Sequence, residues 1–163
     1  MALTRKQQDE FIAQIGPLAQ AAAAKYGICA SVCIAQAILE SAWGASRLTR
    51  EGHNYFGIKA ARSGDPAVEM PTEEVIRGKR VKMTARFRKF TSRLACFDFY
   101  GRWISTSKHY VLAMGAADAP EVFVARLWQG GYSTSPTYPV DVMRIVTQFD
   151  LKRFDLPRKK KEG

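Results

Sequence analysis

Glu40 is a carboxylate set among Val32, Cys33, Ile34, Ala35, Ala37, Ile38, Leu39, Ala42 and Trp43, a stretch with almost no polar face. Such a run predicts a helix buried on most sides, where desolvation disfavours the charged form of an acid. A carboxyl group kept protonated near neutral pH is what a general acid requires. Gly44 is expected to stop the helix just after Glu40, putting the acid in the last turn beside a cleft. The alternative is a structural Glu40 that bonds the loop from Ala45 to Asn54 or pairs with Arg47 or Lys59, and taken alone an isolated buried acid more often does that.

The elements that must position this acid follow from periodicity. Phe11, Ile12, Ile15, Leu18, Ala19, Ala22 and Tyr26 recur at three and four residues, predicting an amphipathic helix over 8–26, bent at Gly16-Pro17 and ended by Gly27. A second helix over 31–43 carries Glu40. Between Val68 and Phe90 the period changes to two: Val81, Met83, Ala85 and Phe87 alternate with Lys82, Thr84, Arg86 and Arg88, and Arg77-Gly78 supplies the turn of a β-hairpin. In its first strand Glu74 shares a face with Met70, Thr72 and Ile76, while Glu73 points the other way. Helical spacing returns after Thr91-Ser92, with Leu94, Phe97, Tyr100 and Ile104 on one side and Phe99 and Trp103 beside them. Asp118 is a predicted N-cap for a helix that buries Phe123, Val124, Leu127 and Trp128, and a last helix is expected over 139–149. These elements make an α+β chain that is mainly helical.

A chain of 163 residues is one domain's worth, here 1–155, with 156–163 as a basic, disordered tail. A domain of this size buries roughly two thirds of its unfolded surface without staples. Cys29, Cys33 and Cys96 are odd in number and have no His nearby, so they are expected as small buried hydrophobes, with a bridge from Cys29 or Cys33 to Cys96 as the lesser alternative. With only His53 and His109 in the chain, neither a metal nor a cofactor is expected, and both histidines are read as structural. No apolar segment follows the basic residues of the N-terminus, and no run of about 18 apolar residues exists, so neither signal peptide nor membrane span is expected. The 25 basic and 15 acidic side chains give a net charge of +10, a field that favours polyanions, whether nucleic acid or an anionic cell envelope.

The segment Ala35-Gln36-Ala37-Ile38-Leu39-Glu40-Ser41-Ala42-Trp43-Gly44, followed by Asn54-Tyr55-Phe56-Gly57-Ile58-Lys59, resembles the signature of glycoside hydrolase family 73, the peptidoglycan N-acetylglucosaminidases. The resemblance continues through Thr72-Glu73-Glu74 before Gly78, through Phe87-Arg88, and through Gly131-Tyr132-Ser133-Thr134 to Tyr138, so it covers most of the chain. It implies a lysozyme-like fold with a small β-hairpin lobe flanking the cleft. It also implies a second carboxylate four residues before the turn glycine, at Glu74, with Glu73 as the fallback; a partner on a hairpin suggests that it swings in when the hairpin closes on substrate. Tyr132 matches the first tyrosine of the family's motif, which orients water, substrate or the acid. Ser135 stands where the family commonly has Asp, so any role of that Asp must be absent or shared. Trp43, Asn54, Tyr55, Phe56 and Tyr138 are candidate substrate contacts, since aromatic faces stack on sugar rings and amides bond N-acetyl groups; core packing is the alternative for Trp43 and Phe56.

The expected activity is therefore endo-β-N-acetylglucosaminidase cleavage of the β-1,4 bond between N-acetylglucosamine and N-acetylmuramic acid, with Glu40 as the acid. The expected partners are peptidoglycan glycan strands and the anionic envelope. A monomer is expected, made in the cytoplasm and acting in the periplasm or outside the cell, as a phage or prophage enzyme would. The alternatives are a muramidase or lytic transglycosylase of the same fold and a non-catalytic basic domain. No helix is consistently basic, which disfavours a nucleic-acid partner.

Overall fold

The computed structural model describes residues 2–155 and 157. The element order is α1 (Arg5–Tyr26), α2 (Ala30–Ser41), α3 (Arg47–Gly52), β1 (Ala67–Ile76), β2 (Lys79–Arg88), α4 (Arg93–Thr106), α5 (Val111–Met114), α6 (Pro120–Gln129) and α7 (Tyr138–Gln148), with short 3-10 turns at Lys108–Tyr110 and Leu151–Phe154. Apart from Pro157, the expected basic tail lies outside the described residues.

Helix α2 is the axle of the helical body. Every residue from Ala30 to Ile38 is buried, and the helix packs against α1, α6, α7 and the final 3-10 turn. Its β-branched Val32, Ile34 and Ile38 are indifferent helix formers, so burial on all sides holds the helix rather than propensity. Cys29 gives its N-terminus no side-chain cap. Asp155 supplies one from the far end of the chain, accepting from the Ser31 N–H at 2.8 Å and from the Ser31 hydroxyl at 2.7 Å. All three cysteines are free and buried, and burial pushes the Cys29 thiol up to about 11 and that of Cys96 up to about 12.

Helix α1 runs unbroken past Pro17 and ends at Gly27, which has φ 75°. Ser92 caps α4 by accepting from the Ala95 N–H, and Phe97, Tyr100 and Ile104 are buried as their spacing requires. Leu94 departs from that stripe: it lies in the first turn and is 59% exposed. The N-cap of α6 is Ala119, without a side-chain bond, so the predicted cap at Asp118 is displaced by one residue because Pro120 sits at the first helical position.

The two strands pair antiparallel with Val68 opposite Phe87 and Ile76 opposite Lys79. Arg77 (φ 52°) and Gly78 (φ 79°) form the two-residue turn that matches strand twist. Segment 58–60 extends the sheet at its base: Arg88 N–H donates to Ile58 C=O at 2.8 Å and Ala60 N–H to Arg86 C=O at 2.9 Å. Only Val68 and Ala85 of the strands are buried, so the hairpin is anchored at its base while its tip stands in solvent.

Candidate functional site

Between the hairpin and the helical body lies a cleft of about 900 Å³, lined by Glu40, Phe56, Gly57, Lys59, Thr72, Phe87, Phe99, Trp103, Tyr132 and neighbours. Glu40 is in the last turn of α2, and the backbone leaves the helix abruptly after it. Ala42 (φ 50°), Trp43 (φ 59°) and Gly44 (φ 78°) are consecutive left-handed residues, a conformation costing roughly 1–2 kcal/mol for each that carries a Cβ. Offsetting contacts are visible. The Trp43 ring sits edge-on between Phe11, at 5.7 Å, and Phe149, at 5.0 Å, and the Ser41 hydroxyl accepts from the Gly44 N–H at 2.8 Å. A Cβ on Gly44 would lie 2.8 Å from the Phe11 ring, so glycine is required there twice over.

Glu40 stands in the last turn beside the cleft, the place its position before Gly44 predicts, but it is exposed where its apolar neighbours predict a buried acid. Continuous burial along α2 ends at Ile38: Leu39 and Glu40 are exposed, and Ser41 turns back into the core. Protein matter still surrounds the carboxyl group closely enough that desolvation raises its pKa, against a hydrogen bond from the Tyr138 hydroxyl that lowers it.

Tyr132 follows Gly131 (φ 93°) in the turn after α6. Its ring packs beside Trp103 at 5.8 Å and Tyr138 at 5.7 Å. Its hydroxyl is buried with no hydrogen-bond partner among the described residues, and burial pushes its pKa well up, so it remains a phenol with a hydrogen to give. The ordinary preference of buried polar groups for a partner makes this the least satisfied atom of the cleft.

Glu74 lies on the hairpin face that carries Thr72, and Thr72 lines the cleft. The Glu74 carboxylate forms an ion pair with Lys59, which also lines the cleft. Glu73 is opposite Lys82 on the other face and is exposed.

The candidate substrate contacts divide. Phe56 lines the cleft while stacking on Tyr100 at 4.2 Å. Tyr138 is buried behind Glu40. Trp43, Asn54 and Tyr55 are not among the lining residues. Trp43 is held in the core contacts given above, and Tyr55 is buried against Phe97 at 5.6 Å. Asn54 is 1% exposed and its amide is saturated: it donates to Ile58 C=O and Arg88 C=O, both at 2.9 Å, and accepts from the N–H groups of Phe56 and Ile58. It ties the 54–58 turn to the foot of the hairpin and has nothing left for a ligand. The lining side chains Lys59, Phe87, Phe99 and Trp103 were not singled out by sequence reasoning as substrate contacts. The one available signal was Phe99 and Trp103 flanking the buried stripe of α4.

The glucosaminidase family model, described as mannosyl-glycoprotein endo-beta-N-acetylglucosaminidase, matches residues 16–151. The peptidoglycan hydrolase FlgJ of Pseudomonas aeruginosa is 38% identical over 145 residues, which is 86% of this chain and 36% of that protein. The exo-glucosaminidase LytG of Bacillus subtilis is 36% identical over 154 residues, 91% of this chain and 54% of that protein. The chain thus spans about a third to a half of the length of these two relatives. The catalytic domain of the autolysin Auto from Listeria monocytogenes superposes with a TM-score of 0.80 at 31% identity, over 95% of this chain and 91% of that one.

Proposed function

We propose that this chain, which belongs to the glucosaminidase family, is a glycoside hydrolase that cleaves the β-1,4 bond between N-acetylglucosamine and N-acetylmuramic acid in peptidoglycan. The observation that carries the reading is Glu40 at the cleft wall with its pKa raised by desolvation, in a cleft that also holds the unpartnered hydroxyl of Tyr132. Glu40 gives its proton to the glycosidic oxygen as the bond from that oxygen to the anomeric carbon breaks, and the leaving sugar departs as an alcohol. Positive charge then develops at the anomeric carbon. Glu74, once released from Lys59, is the carboxylate that approaches from the hairpin to activate water, and Tyr132 offers its hydrogen to water or substrate. Phe56, Phe87, Phe99 and Trp103 supply the apolar surface on which pyranose rings pack. The basic charge of the chain suits the anionic envelope in which such strands lie, in the periplasm or outside the cell.

Digestion of purified peptidoglycan followed by mass spectrometry of the released muropeptides tests this. N-acetylglucosamine reducing ends are expected; muramic or anhydro-muramic ends would show a muramidase or transglycosylase instead. LytG is an exo-glucosaminidase, and its likeness to this chain favours a second reading, release of terminal sugars. Strands cut internally into mixed lengths support the endo mode, and monosaccharide release alone would replace it.

A further inference from the structure

Gln36 lies one helical turn before Glu40 on α2 and is the sole polar residue between Val32 and Leu39, yet it is 0% exposed. Both ends of its amide are used. The Tyr100 hydroxyl donates to Oε1, and Nε2 donates to the Tyr138 hydroxyl oxygen at 3.1 Å. The Tyr138 hydroxyl also neighbours the Glu40 carboxyl group, one helical turn on from Gln36, closely enough to lower its pKa. The direction of this chain is fixed at its buried end. Tyr100 is 0% exposed and Gln36 is its partner, so turning the amide over would leave the Tyr100 hydrogen unsatisfied in the core. With Tyr100 donating to Oε1, Nε2 must serve Tyr138. The oxygen of Tyr138 is then an acceptor, and its single hydrogen is left for Glu40.

A carboxyl oxygen that accepts from Tyr138 does not carry the acid proton. We propose that Tyr100, Gln36 and Tyr138 are positioning residues that form a one-way hydrogen-bond chain, holding the Glu40 proton on the carboxyl oxygen not bonded to Tyr138, where the cleft is open, and stabilising the carboxylate left after transfer. The inference rests on Glu40 being the acid. No proton travels along the chain: burial pushes the phenols of Tyr100 and Tyr138 upward, so both stay protonated. The other titratable groups that act on the chain are the phenols of Tyr132 and Tyr110 and the thiols of Cys33 and Cys29, all shifted upward by burial, while the cations Lys59 and Arg88 line the cleft beside Glu40 and pair with Glu74 and Asp65.

The Tyr138 bond lowers the pKa of Glu40, so its loss must raise that pKa and move upward the pH at which the acid form is lost. Tyr138→Phe is expected to lift the basic limb of the kcat profile by about half a unit or more, and to lower kcat about tenfold with KM within about twofold. Tyr100→Phe, although far from substrate, is expected to shift the limb the same way by less. Gln36→Met should match Tyr138→Phe if it folds; the two phenylalanine variants keep their rings and decide the matter if it does not. Basic limbs that coincide with that of the unmodified protein in both phenylalanine variants, whatever happens to Tm, overturn the proposal. Glu40→Gln, run alongside, separates the two ideas. An active Glu40→Gln sinks the acid assignment itself, whereas an inactive one with unmoved limbs sinks the chain alone.

Discussion

The two walls of the cleft are built by opposite means. On the helical wall, Glu40 stands at the emergent end of a helix buried from Ala30 to Ile38 and is backed by Gln36, Tyr100 and Tyr138, which are hydrogen-bonded to one another in the core. On the hairpin wall, Glu74 is carried by strands with two buried residues and has one partner, a lysine whose side chain is 60% exposed. A buried network resists change because breaking any one bond leaves a polar group desolvated, at about 1–3 kcal/mol each. An exposed ion pair is worth about 0–1 kcal/mol and yields to a competing ligand or to salt. A carboxyl group backed by a buried network and a carboxylate held by one exposed ion pair thus coexist in a single small domain because they hang from different elements.

The sharpest way to break this comparison is at Glu40. Glu40→Gln is expected to lower turnover by at least about a hundredfold while far-UV circular dichroism and Tm stay native-like; a near-normal rate of muropeptide release would remove the asymmetry altogether. Next come the hairpin carboxylates assayed side by side. Glu74→Gln should cost about tenfold or more and Glu73→Gln less than about twofold, because strand alternation aims only the former at the cleft. Equal losses would show that the hairpin does not present one face to substrate.

Stability measurements sharpen the same contrast. Asn54→Ala removes the saturated amide at the hairpin foot and leaves buried N–H and C=O groups unpaired, so urea unfolding should report a loss of about 2–3 kcal/mol. Lys59→Met, which breaks only the exposed pair, should cost less than about 1 kcal/mol. A reversal of that order would mean the hairpin is held from its outer half. The smallest effect concerns pH. Because the folded protein raises the pKa of Glu40 above its ordinary 4.5, ionisation is resisted in the folded state, and stability falls as pH rises through that interval. Glu40→Gln lacks this term, so its Tm relative to the unmodified protein should grow from about pH 4 to pH 7. A difference that shrinks over that range would give the shift the opposite sign.

Much of this was legible in the residues because it depends on local rules. The hairpin follows from alternation across 68–88 and from Arg77-Gly78, since strand pairing and a tight turn leave a period of two and a glycine. The helix ends at Gly27 and Ser92 follow from αL tolerance and side-chain capping. Glu40 at a helix end was equally readable. Its degree of burial was not, because the apolar run describes what surrounds α2 as a whole and not where its last turn emerges. Asn54 reads as a sugar-binding amide until the 54–58 turn and the foot of β2 are folded against it; sequence shows the amide but not who claims its four bonds. Trp43 likewise reads as a stacking platform until Phe11 and Phe149, from opposite ends of the chain, close on its ring.

The residue pattern marked Glu40 as the candidate acid, the helix and hairpin that carry the two carboxylates, and the family to which the chain belongs, since each is written in residues that are near neighbours or in an ordered motif. Tertiary structure alone decided what stands behind the acid. Gln36 is separated by 64 and 102 positions from Tyr100 and Tyr138, and the three meet only because α7 packs against α2 and α4, held against α1, brings Tyr100 within reach of it. Hydrogen-bond direction is a property of that assembled core, where leaving a buried donor without an acceptor is costly, and no local pattern carries it.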